Sequence, residues 1–370
     1  MRKVSKTLLA ALMLGLLAVS ATSGCGKKDN GVPGSSEAAS DMPKVKVAWS
    51  FYYAWSLLAA ANDFGDFDEK EGAVAGLEKT HNVDVSLQRM EYMESLNAFQ
   101  SGIVDAVLVT NTDALATAYG RKKQVGDASV VVFATSHSDG ADIIFAEENI
   151  KTWADLKGIP VMGAEFSVTH YLFWRACQVN ACNDKDYVFK NLDPVEGAPQ
   201  FAANQNGIRA WGGWSPETFV VMDGRKGANN LFDSSRLDKY EITDVLLVGQ
   251  KALDAPGGKE MVKVLAEALD NMASRMTDPA QRDAALKATS RRFNGLEPEK
   301  IDRAAVLTKI LPPSSKADII TGQEMRKNMI RVADFTIDLN LTEGMTVEKG
   351  WGTKASAPNA VLRFDLSYLK

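Results

Sequence analysis

Short runs of alternating apolar residues are interleaved with amphipathic stretches over most of this chain. Lys44–Trp49 (KVKVAW) has the period-2 pattern of a strand, and the apolar spacing from Trp55 to about Asn62 is helical. The same pairing recurs downstream. Strands are predicted over Val83–Met90, Val104–Val109, Ser129–Thr135, Ala141–Phe145, Ile159–Gly163, Tyr187–Leu192, Gly207–Trp211 and Val245–Val248. Helices are predicted over Glu94–Ser101, Asp113–Tyr119 and Val168–Val179. Short strands separated by helices predict an α/β chain with mainly parallel sheets. From Gly258 the pattern turns helical, over Lys259–Met276, Pro279–Phe293, Pro298–Thr308 and Gly322–Leu339. Asp278-Pro279 and Glu297-Pro298 place a cap and a first-turn Pro at two of these helices. An α/β core with a helical tail fits two α/β lobes, the tail packing back on the first.

The chain start has a different pattern. Met1 to Lys6 is basic, Leu8 to Ala21 is apolar and too short to span a bilayer, and Thr22-Ser23-Gly24-Cys25 follows. This is the layout of a secretory signal over residues 1–24, cut before a cysteine. It looks like a bacterial lipoprotein signal that leaves Cys25 lipidated, although Thr22 stands where such boxes usually carry Leu. An ordinary secretory signal with an incidental cysteine is the other reading. Residues 25–43 are rich in Gly, Ser, Asn, Asp and Lys without apolar periodicity, so a flexible tether is expected there. The expected location is the periplasm or cell surface, anchored to a membrane by lipid.

Composition narrows the function classes. Removing the basic residues of the signal shifts the formal charge from −5 to −8, and an acidic surface argues against nucleic acid as partner. The remaining length suggests about two domains. Cys177 and Cys182 are the only cysteines after Cys25. In an oxidising compartment they are a reasonable disulfide pair; both also suit small buried positions. No G-x-S-x-G, H-E-x-x-H or phosphate-loop pattern occurs, and His81, His137 and His170 lack metal-ligand spacing. Neither enzymatic activity, a cofactor nor a metal is therefore expected.

In open α/β sheets ligands bind beyond the carboxyl ends of strands. Four stretches follow predicted strands: Ser50-Phe51-Tyr52-Tyr53-Ala54-Trp55, Thr110-Asn111-Thr112-Asp113, Ala164 to Tyr171 (AEFSVTHY), and Gly212-Gly213-Trp214-Ser215-Pro216. They supply Tyr52, Tyr53, Trp55, Trp211 and Trp214 as aromatic walls, the pairing of apolar surface with a few polar groups that small-ligand pockets use. Taken singly, each of these aromatics is more often core; their clustering at strand ends shifts the group toward a pocket. Asn111, Asp113, Glu165, Ser167, Thr169 and His170 are the polar candidates. Ser167 precedes a helix and can cap it, or leave first-turn N–H groups to an acceptor.

Three further stretches carry a resemblance. Gly65 to Gly72 (GDFDEKEG) is similar to a "G-L-F-E-K-E-G-L" pattern, Ser101 to Ala106 (SGIVDA) to "x-G-x-x-D-A", and Trp153 to Gly158 (WADLKG) to "D-L-K-G-K-x-V". These patterns mark the solute-binding proteins of ABC importers in the nitrate/sulfonate/taurine group, which the chain resembles from Lys44 to about Leu339. Glu165 to Tyr171 and Thr110 to Ala114 (TNTDA) most resemble the urea-type branch found near urea-carboxylase genes. The usual W-D/N-P motif is replaced by Trp211 to Pro216 (WGGWSP). The resemblance implies the two-lobed type II periplasmic-binding-protein fold, with lobe 1 over 44–136 and 248–370 and lobe 2 over 137–247. It also implies ABC permease and ATPase subunits as partners and a monomeric binding protein with a small-molecule ligand.

Chemistry ranks the ligands. An oxyanion wants N–H donors, hydroxyls and often Arg; Ser167 and Thr169 suit it, but Glu165 and Asp113 repel it. A guanidinium-type cation wants carboxylates and aromatic faces, and a urea-type amide can use both the helix start and the acids. A small nitrogen-rich solute is favoured. Nitrate, a sulfonate or taurine remains the alternative, as do a secreted hydrolase using Ser167 and His170 and a sensor lipoprotein.

Overall fold

The computed structural model describes residues 41–182, 186–342, 346 and 348–370. The predicted signal, Cys25 and most of the tether lie outside them. The strands are β1 (Lys44–Trp49), β2 (Asp84–Arg89), β3 (Ala106–Thr110), β4 (Ser129–Ser138), β5 (Ile143–Ala146), β6 (Pro160–Gly163), β7 (Val188–Asn191), β8 (Ala210–Gly213), β9 (Asn229–Asp233), β10 (Thr243–Gly249), β11 (Thr308–Ile310), β12 (Lys349–Trp351) and β13 (Leu362–Phe364). They form two sheets, β12-β13-β4-β10-β3-β1-β2 with β11 on β4, and β7-β6-β8-β5-β9. This is the α/β periplasmic-binding-protein architecture.

Strand alternation builds the first sheet's two cores. Val45 and Val47 of β1, Val130 and Val132 of β4, and Leu246 and Val248 of β10 pack with Met261, Leu265 and Leu269 of the long tail helix Gly258–Thr277. The intervening Ala48, Val131, Val245 and Leu247 join Leu115 of the helix Asn111–Val125 and Met325, Met329 and Val332 of the helix Gln323–Asp338. The period of two in a strand sends neighbours to opposite faces, and helices cover both. The tail thus packs on the first sheet, as its apolar spacing suggests.

The sheets are more mixed than predicted. β1, β2 and β3 run parallel, but β10 lies antiparallel between β3 and β4, and β5 pairs antiparallel with β8 and β9. Strands β9, β11, β12 and β13 escape the sequence reading, being short or broken by polar residues. The expected Cys177–Cys182 bridge is absent: both side chains are thiols. Cys182 Sγ accepts from the Trp153 indole at 2.7 Å, a contact that draws it to the neighbouring core. No described helix is long and apolar enough to cross a membrane.

Candidate functional site

A small cavity lies where β1, β3, β4 and β10 of the first sheet approach the helix Val168–Val179 and the segment after β8. It is lined by Tyr52, Trp55, Tyr92, Thr110, Asp142, Val168, Trp214 and Asp244. About 20 Å³ is open to the centre of a water molecule, space for about one water.

Four aromatic rings form a continuous wall. Tyr52 and Trp55 lie 5.2 Å apart, Trp55 stacks on Tyr92 at 5.8 Å, and Tyr92 meets Trp214 at 5.6 Å. Tyr52 and Trp55 come from the turn and first helix after β1 (Tyr53–Ala59), and Tyr92 from the helix after β2 (Tyr92–Gln100). Trp214 follows β8 in the second sheet. The Trp55 indole N–H is buried without a hydrogen-bond partner.

The polar wall is acidic. Asp142 is 2 % exposed and accepts from Ser138 Oγ at 2.6 Å. Asp244 is 1 % exposed and accepts from Ser136 Oγ. Behind them Asp113 accepts from the Tyr92 hydroxyl at 2.5 Å and from Thr112 Oγ1 at 3.2 Å. Burial, which strips water from the charged form, pushes Asp142 up to about 7 and Asp113 up to about 6, and Asp244 well above the usual carboxylate range. Repulsion by Asp113 adds to the rise at Asp142, and repulsion by Asp142 and Asp113 to that at Asp244. No Lys, Arg or His is among the described lining residues.

Of the expected site residues, Tyr52, Trp55 and Trp214 line the cavity, and Asp113 backs it. The others go elsewhere. Tyr53 packs with Phe219, Leu286 and Phe293 in a separate core. Trp211, fully buried, stacks on Phe145 at 6.4 Å on the opposite face of the second sheet. Asn111 bridges the backbone at Glu241 and Thr243, a structural clamp. Glu165 is partly buried beside Asn191, whose side chain accepts its backbone N–H, and lines no described cavity.

Ser167 caps its helix, donating to Ala164 O at 2.8 Å and accepting from Thr169 N at 3.2 Å. The Thr169 methyl packs against Gly163 and Gly212. His170 accepts from Phe166 N at 3.2 Å and stacks on Phe189 at 4.3 Å, so it is not the base of a Ser167 pair. Burial lowers its imidazole to about 4. The residues missed were Tyr92, Asp142 and Asp244. Asp244 pairs in register with Thr110 because β10 is antiparallel, so its beginning, not its end, reaches the site.

Outside the ring of Tyr92 and Trp214 lies a hollow of about 480 Å³, lined by Phe51, Glu91, Asp193, Glu196 and Glu217 among others. It shares Tyr92 and Trp214 with the inner cavity and so lies next to it. Its Glu91, Asp193 and Glu196 make this hollow acidic, and a cleft of one sign concentrates ligands of the other.

Comparison with solved structures places the fold. The chain is similar to the alkanesulfonate-binding protein SsuA of Xanthomonas axonopodis pv. citri, solved bound to MOPS, with TM-score 0.62 and 18% identity over 88% of this chain and 100% of that one. It is also similar to the periplasmic aliphatic sulphonate binding protein SsuA of Escherichia coli, with TM-score 0.62 and 18% identity over 81% and 94%. The periplasmic nitrate-binding protein NrtA of Synechocystis PCC 6803 gives TM-score 0.55 and 11% identity over 87% and 92%. At such identities the likeness is one of fold. No family model and no curated protein matches the sequence.

Proposed function

We propose that this chain is the extracytoplasmic solute-binding component of an ABC importer, taking a small nitrogen-rich solute of the urea, guanidinium or amide type. The observation that carries the reading is the cavity itself: Asp142 and Asp244 among four aromatic rings, with no basic side chain in the lining. Carboxylates accept from N–H groups, and aromatic faces attract planar cations. The lobes are those over 44–136 with 248–370 and over 137–247, closing on the ligand by a hinge at the crossovers. The loaded protein delivers to a permease and ATPase. Cys25 carries the lipid that holds it to the membrane, and Cys25→Ala releases it to the soluble fraction.

The solved relatives that bind sulfonates or nitrate favour an oxyanion instead. Two features of the cavity oppose that reading. The lining holds no Lys, Arg or His to pair with an anion, and Asp113 behind it, the acid with the most hydrogen-bond donors, would repel one once ionised. A thermal-shift panel of urea, guanidinium, nitrate and taurine decides. At 100 times its dissociation constant a true ligand stabilises the fold by about 2.7 kcal/mol, a shift of roughly 5 °C at ~2 °C per kcal/mol. A shift with nitrate or taurine and none with urea or guanidinium refutes the nitrogen-donor reading.

A further inference from the structure

We propose that the ligand is a small monocation built of N–H donors, such as guanidinium or an amidinium, and that its capture expels one proton from the Asp142–Asp244 pair. This rests on the nitrogen-donor reading above and narrows it. Asp113, Asp142 and Asp244 are each at most 3 % exposed. Every element around them contributes neutral or acidic groups. The strand β1 turn gives Tyr52 and Trp55, the next helix Tyr92, β3 Thr110, and β4 Ser136 and Ser138. β11 gives Thr308, bonded to Tyr52, and the second sheet's side gives Val168 and Trp214. The nearest bases on these strands are directed away. His137 lies against Ile242 O and the Tyr240 ring, and Lys309 pairs with Asp139.

Three buried carboxylates without a cation cannot all be ionised, because desolvation and mutual repulsion each oppose the second and third charge. Asp113 has the fullest set of donors, accepting from the hydroxyls of Tyr92 and Thr112. It carries the negative charge most readily. Asp142 and Asp244 each take a serine hydroxyl and hold protons in the empty site. An arriving monocation supplies the missing charge. It pairs with one of these carboxyls, whose proton leaves to solvent, so the net charge of the site is unchanged. Neutral urea offers no such exchange. Its oxygen would suit the unpartnered Trp55 N–H, but both carboxyls then stay protonated and offer its N–H groups no ionised acceptor.

Proton exchange has a thermodynamic signature. With Asp142 raised to about 7, affinity for a monocation rises about tenfold per pH unit below that value and levels off above it. Calorimetric titration of the full chain with millimolar guanidinium and acetamidinium, in phosphate and in Tris, counts the protons released. Close to one proton per ligand is expected at pH 6 and close to none at pH 8.5. Asp142→Asn and Asp244→Asn each weaken guanidinium at least tenfold, and one of them flattens the pH dependence. Cation binding with an unchanged dissociation constant from pH 5 to 8 and no proton release overturns the exchange and leaves the nitrogen-donor reading standing. Urea binding tighter than either cation overturns the cationic class alone. Failure of both cations and urea, with nitrate or taurine binding, removes this proposal and the function it rests on together.

Discussion

Tyr92 and Trp214 meet edge to face at 5.6 Å, one ring following β2 of the first sheet and the other β8 of the second. The pair is the partition between the inner cavity and the acidic hollow outside it. Tyr92 is fixed from behind by its hydroxyl, which donates to Asp113 at 2.5 Å, and both rings are partly buried. A solute reaching Asp142 and Asp244 from that hollow would pass between these rings.

Trp214→Ala should therefore weaken guanidinium binding by about tenfold, the loss of one aromatic face at ~1–2 kcal/mol. The ligand-free melting point should change little, because the ring is partly exposed. Titration calorimetry and thermal melts on the same preparation separate the two effects. Unchanged affinity would place the entry route elsewhere.

The buried acids also set how stability depends on pH. Asp142 titrates near 7 in the fold against ~3.9 in an unfolded chain. Between those values the native state holds a proton that the unfolded state has lost, so this contribution is lost as pH rises through the window. Asp238 behaves oppositely: hydrogen bonds from Lys327 and Arg331 hold it down to about 2. Its contribution is present above ~4 and lost as pH falls towards 2. The ligand-free protein should melt higher at pH 5 than at pH 8. Asp244→Asn and Asp142→Asn should raise the melting point at pH 8 and reduce that difference.

Glu165→Ala tests where the acid site is. Glu165 is the carboxylate that the sequence singles out, beside the helix start at Ser167. The structure seats it next to Asn191, apart from the lining residues. The variant should bind guanidinium within about twofold of the parent, while Asp142→Asn does not. Equal losses in both would return Glu165 to the site.

The contrast shows what linear order reveals and conceals. Tyr52, Trp55 and Asp113 were legible because they follow β1 and β3, which run parallel, so chain order and spatial position agree. Asp244 was hidden because β10 runs the other way, and Asp142 because the sequence reading puts it inside a strand, Ala141–Phe145, whereas it stands just before β5 rather than after a strand. Trp211 was misplaced by one position of strand alternation. Its neighbours Gly212 and Gly213 sit toward Thr169 and the ring itself, and the indole goes to the far face. The main architecture needed none of this, since apolar periodicity alone carries β1, β3, β4, β10 and the tail helices.

Glu241 joins parts of the molecule that its position just before β10 would not suggest. It is fully buried and bonded to Arg175 and to Tyr171 at 3.0 Å, both on the helix Val168–Val179. It also accepts from Arg331 at 2.8 Å, on the helix Gln323–Asp338. Removing one member of a buried ion pair leaves the other charge unmatched, at a cost of about 3 kcal/mol or more. Glu241→Gln should lower the melting point by roughly 6 °C, taking ~2 °C per kcal/mol. A fall under 1 °C would show that water replaces the lost partner.

Gly213 explains the double glycine in the stretch from Trp211 to Pro216. A Cβ at Gly213 would lie 2.4 Å from the Trp211 ring, and one at Gly212 would lie 2.8 Å from the Thr169 methyl. The indole folds back along its own strand and occupies the space a side chain would need. Neither can retreat easily: Trp211 is fully buried with Phe145, Phe201 and Val221, and Thr169 is fully buried at the start of its helix. Overpacking of this kind costs about 1–3 kcal/mol. Gly213→Ala should therefore lower the melting point by roughly 2–6 °C, at ~2 °C per kcal/mol. Because Trp214 follows directly and walls the cavity, a displaced strand should also weaken ligand binding. Pairing Gly213→Ala with Trp211→Phe, which shortens the obstructing ring, should recover part of both losses. If the double variant is no better than Gly213→Ala alone, the glycine is there for another reason than the indole.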